Sequence, residues 1–176
     1  MILNRNKSLT SADIEVFPIS SHLFDFSDFD CGKKQYNDYL LKTAHSDHKN
    51  NIGKVWLFIH KRTRKVVSYV TLAMSQLHKS EHKKLGELTT HGYIPGLLLG
   101  QMARDNEFRG MKTGELMINW VIAQAIELSK RIGCRLIILQ SDDDQVQMYE
   151  THGFLLIPNS KKKRNMMFYD LSWYKQ

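Results

Sequence analysis

The chain has 176 residues, a hydrophobic fraction of 42% and a formal net charge of +7. That is long and apolar enough for one compact domain with a real core, and it argues against a disordered chain or two small domains. The positive balance favours an anionic partner, such as a phosphorylated cofactor, nucleic acid or acidic protein, without choosing among them. Cys31 and Cys134 are the only cysteines and lie far apart, so no disulfide framework is expected. Met1 to Thr10 is polar and lacks the apolar run of a secretory signal, and no apolar stretch approaches the roughly 20 residues of a membrane span. A reducing, cytoplasmic setting is the reading.

Residues 1–12 are expected to form a flexible N-terminus, with residues 13–176 as one domain. Ile14-Glu15-Val16-Phe17 before Pro18 reads as an opening strand. The aromatic and acidic segment Phe24 to Cys31 leads through Gly32 into Gln35 to His45, where Tyr36, Tyr39, Leu40 and Thr43 recur at helical spacing. Lys54 to His60 and Val66 to Leu77 flank the polar stretch Lys61 to Lys65 and predict a β-hairpin. Lys79 to His91 is charged and without periodicity, which predicts a surface excursion.

After Pro95, the run Leu97 to Ala103 predicts a strand buried on both faces. A polar turn comes next, then an apolar face of Leu116, Met117, Trp120, Val121, Ile122, Ala125, Ile126 and Leu128 over about five helical turns, with Gly133 expected to stop it. Leu136 to Leu139 is a further buried strand, and Ser141 to Asp144 suits the start of a short helix ending at Gly153. Phe154 to Ile157 and Met166 to Leu171 predict a last hairpin across the basic loop Lys161 to Arg164. Alternation of strands and helices favours a sheet covered by helices over a bundle or sandwich.

The turn Arg109-Gly110-Met111-Lys112-Thr113-Gly114 lies between a buried strand and a long helix. Unpartnered amides at a helix start bind phosphate, glycines let the chain approach an anion, and Arg109 and Lys112 add positive charge. A glycine-bearing strand-to-helix turn is by itself weak, but downstream of it come Leu139-Gln140-Ser141 and then Gln147-Met148-Tyr149-Glu150-Thr151-His152-Gly153-Phe154. This order of strand, R/Q-x-x-G-x-G/A turn, long helix, strand, and a helix with tyrosine before G-F resembles the GNAT superfamily of acetyl-CoA-dependent N-acetyltransferases, from about Ile14 to Leu171. Phe29-Asp30-Cys31-Gly32 and Leu99-Gly100-Gln101-Met102-Ala103 make it most similar to the tRNA-acetylating toxins of bacterial toxin–antitoxin pairs.

The resemblance implies an α+β fold, with a mixed, mostly antiparallel central sheet flanked by helices. It implies acetyl-CoA as co-substrate, no metal, and transfer to the amino group of aminoacyl-tRNA. It also implies a ribbon-helix-helix antitoxin as partner and a homodimer. The pyrophosphate positions fall on Arg109, Gly110, Met111, Lys112, Thr113 and Gly114, the pantetheine-strand positions on Met102, Ala103 and Arg104, and the general acid on Tyr149. Two residues depart from the family. Lys112 replaces a glycine, which would cost roughly 1–2 kcal/mol if the backbone there is left-handed, and Arg104 replaces a small aliphatic residue.

Plainer readings stand beside these. A tyrosine on an amphipathic helix is more often core than catalytic. His78, His82 and His91 lack ligand spacing and read as solvated. The basic stretches Lys61 to Lys65, Lys79 to Lys84 and Lys161 to Arg164 could track an RNA backbone or simply be solvated. Both cysteines read as structural. Acetylation of a protein, polyamine or other small amine, or acyl-CoA binding without catalysis, remains an alternative function.

Overall fold

A computed structural model describes residues 8–20, 24–158 and 165–174. The strands are β1 (Ile14–Pro18), β2 (Lys54–His60), β3 (Val66–His78), β4 (Tyr93–Arg104), β5 (Leu136–Ser141), β6 (Leu155–Leu156) and β7 (Asn165–Asp170). Helices α1 (Lys34–Asp38) and α2 (Ala44–Lys49) precede the first hairpin, α3 (Lys83–Gly86) lies before β4, and α4 (Thr113–Ser129) and α5 (Val146–Thr151) flank β5 in sequence. The strands hydrogen-bond in the order β1-β2-β3-β4-β5-β7-β6. The pairs β1–β2, β2–β3, β5–β7 and β6–β7 are antiparallel, whereas β4 and β5 run parallel from Gly96↔Leu136 to Leu99↔Leu139. This is the α+β, mostly antiparallel arrangement expected above.

The chain divides into two compact units. The first holds the residues up to Leu72 together with Gly100–Met117. Its core joins Leu40 and Ala44 to Val55, Leu57, Ile59, Tyr69 and Ala103. Burial pushes the Tyr69 phenol far above its ordinary range, so it serves as a donor, and its hydroxyl bonds the Tyr36 carbonyl at 2.9 Å. The second unit holds Ala73–Leu99 and the residues from Ile118 on, with Leu77, Leu85, Ile94, Leu136, Ile138 and Phe168 in its core.

Three local expectations need correction. The first helix is interrupted by a π-helical segment, Tyr39–Thr43, between α1 and α2. The Tyr69 hydroxyl offers the Tyr36 carbonyl a donor from outside the helix, which competes with the regular ladder just ahead of the widened turn. The Lys79 to His91 excursion contains a 3-10 turn, Lys79–Glu81, and α3, whose Leu85 is fully buried. Its turns are capped by histidine: His78 Nδ1 accepts from the Ser80 amide and His82 Nδ1 from the Lys84 amide, a cap chemistry outside the usual Ser, Thr, Asp and Asn cues.

Helix α4 ends at Ser129, ahead of Gly133, because the Lys130, Arg131 and Ile132 amides close a turn on Glu127 and Leu128. Within the stretch expected to be flexible, Leu9 is buried and its amide donates to the Met111 carbonyl at 3.0 Å. Among the described residues no helix is long and apolar enough to cross a membrane.

Candidate active site

The chain leaves β4 at Arg104 and is turned at once by Asp105. One carboxylate oxygen, Oδ1, accepts from the Glu107 amide at 2.8 Å, starting the 3-10 turn Asn106–Phe108. The other, Oδ2, accepts from the Asp30 amide at 2.9 Å. The Asn106 amide returns a bond to the Asp30 carbonyl at 2.8 Å, so the Phe29 to Gly32 segment is laced to the end of β4. Asp30 Oδ1 in turn accepts from the Gly32 amide and from Asn37 of α1, which holds its carboxyl below the usual range.

This network assigns a task to the Phe29-Asp30-Cys31-Gly32 motif: it ties the first helix to the strand that leads into the turn. The contributions of Asp105 and Asn37 were missed from sequence, although an aspartate two residues before the amide it caps is a readable signal. Cys31 Sγ bonds Asn37 Oδ1 at 3.0 Å, and burial pushes the thiol up, as suits a structural cysteine.

Phe108, fully buried, anchors the next step. Met111 is buried too, and its carbonyl is held by Leu9, so the turn is pinned at its centre. Gly110 and Lys112 on either side of it both have positive φ, +83° and +56°. A Cβ on Gly110 would meet nothing within 4 Å, so glycine is needed there for its backbone angle and not for room. Lys112 adopts the left-handed form without that freedom, at a cost of roughly 1–2 kcal/mol.

Thr113 then opens α4 with its side chain buried, and the first helical amide to reach back to a carbonyl is Leu116, to Lys112 at 3.3 Å. The amides of Thr113, Gly114 and Glu115 precede it and have no partner within the helix. Unpartnered amides at a helix start, reached through the left-handed Gly110 and Lys112, are suited to an anion. Met102, Ala103, Arg104 and all six turn residues thus fall in one unit; Arg109 and Lys112 are exposed, Met102 and Arg104 partly buried.

Tyr149 belongs to the other unit. It is 7% exposed, and its ring meets Phe154 edge-on with centroids 5.6 Å apart. Gly153 makes that contact possible: left-handed at φ +86°, it ends α5 and lets the Phe154 amide return to the Tyr149 carbonyl at 3.1 Å. The Y-x-x-x-G-F pattern is therefore a device for fixing a tyrosine ring. His152 Nδ1 contacts the Met148 carbonyl at 2.7 Å.

The basic stretches are partly spent on the fold. Lys65 pairs with Glu107, and Arg64 pairs with Glu15 while lying over the Phe24 ring. Lys79 bonds the Thr90 carbonyl, and Lys84 lies over Trp173. The Lys161 to Arg164 loop lies outside the described residues. His78 and His82, read as solvated, instead cap turns and pack edge-on against Tyr93 and Phe168.

Known proteins agree with this architecture. A tRNA-acetylating toxin of Mycobacterium tuberculosis is 23% identical over 128 residues, covering 73% of this chain and 76% of the relative. The solved structure of AtaT complexed with acetyl-methionyl-tRNAfMet superposes with a TM-score of 0.82 at 19% identity, covering 92% of this chain and 96% of the other. A tyrosine-to-phenylalanine variant of AtaT, bound to the C-terminus of the antitoxin AtaR and acetyl-CoA, superposes with a TM-score of 0.77 at 18% identity over 92% and 95% of the two chains. The fold is GNAT-like. No family model matches the sequence. The likeness to the tRNA-acetylating toxins therefore extends to the GNAT-like fold over nearly the whole chain.

Proposed function

We propose that this chain is an acetyl-CoA-dependent N-acetyltransferase whose acceptor is the amino group of aminoacyl-tRNA. The observation that carries the reading is the turn at the start of α4, with Gly110 and Lys112 both left-handed and Met111 pinned between them. Lys112 keeps the glycine-type backbone angle despite its side chain, strain of the kind that gathers at ligand-binding turns. The acceptor class rests on the toxins to which the chain is similar in sequence and fold.

Acetyl-CoA supplies the acetyl thioester. The turn suits its pyrophosphate: the first amides of α4 have no partner within the helix, and Arg109 and Lys112 add charge at the surface. Backbone of Met102, Ala103 and Arg104 at the end of β4 is the candidate to hold the pantetheine arm. In the transfer the amine nitrogen forms a bond to the acetyl carbon, the carbon–sulfur bond breaks, and the amine loses a proton. Tyr149 is the candidate to protonate the departing thiolate; its ring is fixed by Phe154, so its hydroxyl would be presented at one position. An α-amino group titrates near 8, so part of it is neutral at pH 7 and no strong base is needed, unlike a lysine side chain near 10.4.

A cytoplasmic setting and a ribbon-helix-helix antitoxin partner go with this reading. The test is incubation with labelled acetyl-CoA and total aminoacyl-tRNA. Acetylated aminoacyl-tRNA is expected, with transfer by Tyr149→Phe reduced on the order of 10²-fold or more while acetyl-CoA binding persists. Labelling of lysine peptides or polyamines in place of tRNA would move the acceptor to those amines, and binding without any transfer would leave only an acyl-CoA-binding module.

A further inference from the structure

We propose that the Arg104 side chain is itself a phosphate ligand, adding a guanidinium fork to the backbone cradle of the Arg109 to Gly114 turn; this rests on the acetyltransferase reading. Ala103 beside it is buried in the core of the first unit, whereas Arg104 is only partly buried at the end of β4. Among the described residues its guanidinium makes one hydrogen bond, from Nη1 to the Asp105 carbonyl at 3.2 Å, and no ion pair. A guanidinium carries five N–H donors, so most of the fork has no protein acceptor there.

The Asp105 carboxylate favours the charged Arg104 guanidinium, yet no carboxylate forms an ion pair with it among the described residues. Asp105 uses both oxygens on the Glu107 and Asp30 amides, and Asp30 is occupied by the Gly32 amide and Asn37. The next cation, Arg109, also makes no ion pair among the described residues, and it lies near enough to Arg104 that, after burial, its charge is what disfavours charging of Arg104. Two positive groups together, one of them partly withdrawn from water and offset only in part by the Asp105 carboxylate, gain from an arriving anion. What the fork adds is paired, planar donation to phosphate oxygens.

The phosphate has two possible sources, the pyrophosphate of the cofactor or a backbone phosphate of the acceptor RNA. Calorimetric titration of wild type, Arg104→Val and Arg104→Lys with inorganic pyrophosphate, acetyl-CoA and a CCA-ended RNA separates them. Arg104→Val should weaken binding about tenfold, the size of a lost charge-assisted hydrogen bond. Arg104→Lys should recover only part, because a point charge lacks the fork. Loss toward pyrophosphate and acetyl-CoA with RNA unchanged assigns the cofactor; loss toward RNA alone, with a salt dependence lower by about one charge, assigns the acceptor.

Binding of all three probes within twofold of wild type, with an unchanged circular dichroism spectrum, would overturn the proposal. Should Arg104→Val fail to fold, Arg104→Gln keeps much of the stem and carries the same comparison. A wild type that ignores acetyl-CoA but needs Arg104 to bind pyrophosphate would sink the acetyltransferase reading and leave this assignment standing.

Discussion

Gly96 and Gly100 occupy the same strand, β4, and meet opposite surroundings. A Cβ at Gly96 would come within 2.7 Å of the Leu136 carbonyl oxygen and 2.9 Å of Ile138 Cδ1, whereas at Gly100 the nearest atom is the Thr71 carbonyl oxygen at 3.7 Å. The first half of the strand is a close-packed rung against β5, with Leu97 and Leu99 buried. The second half carries partly buried Met102 and Arg104 and ends in the Asp105 network. Packing dictates the residues of the first half, while in the second the side chains exceed what packing needs. The excess is where binding chemistry is to be sought.

Replacing the two glycines breaks or sharpens that contrast most directly. Gly96→Ala should destabilise by about 1–3 kcal/mol, since the blocking atom is backbone and cannot swing aside. At this chain length that is a fall of roughly 2–4 °C in Tm per kcal/mol. Gly100→Ala should stay within about 0.5 kcal/mol of wild type. Equal Tm values for the two variants by thermal circular dichroism would erase the distinction between the halves.

Asp105→Ala comes next in size. It removes the acceptor for two backbone amides, Asp30 and Glu107, and should cost on the order of 1–2 kcal/mol. Asp105→Asn keeps one oxygen acceptor and should recover about half of that. A neutral result for both in urea unfolding would mean that the β4 exit is held by Phe108 packing and by the backbone bonds of Asp105 and Asn106, without the Asp105 carboxylate.

Legibility in the sequence divides along the same line. The hairpin β2–β3, the long helix and β5 are visible because their apolar periodicity is the packing itself, whereas the run Leu97 to Ala103, expected to be buried on both faces, leaves Gly100 exposed and Leu98, Gln101 and Met102 only partly buried. The turn and Tyr149 are proposed from glycines and motif order. The hidden features depend on partners distant in sequence: Leu9 reaching Met111, Tyr69 bonding a helix carbonyl and so favouring the π segment, and Asp105 caught by Asp30. Histidine caps before Ser80 and Lys84 hid α3, since histidine carries no strong capping preference.

Lys112 gives the smallest expected effect and tests the second half of the contrast most finely. Its φ of +56° should cost roughly 1–2 kcal/mol as lysine. Lys112→Gly relieves that strain but adds about 0.5–1 kcal/mol of backbone entropy to the unfolded chain. The net should be a gain of roughly 0.5–1 kcal/mol in urea unfolding. Lys112→Ala keeps the Cβ and the strain while removing the ammonium, so its stability should stay near that of wild type. If the ammonium helps to hold a phosphate, both variants should lose the same modest factor in acetyl-CoA affinity, under about tenfold. If instead only the amides matter, affinity is unchanged in both. Stability would then separate glycine from alanine while binding does not, and the strain at Lys112 would belong to the backbone geometry of the cradle rather than to its charge.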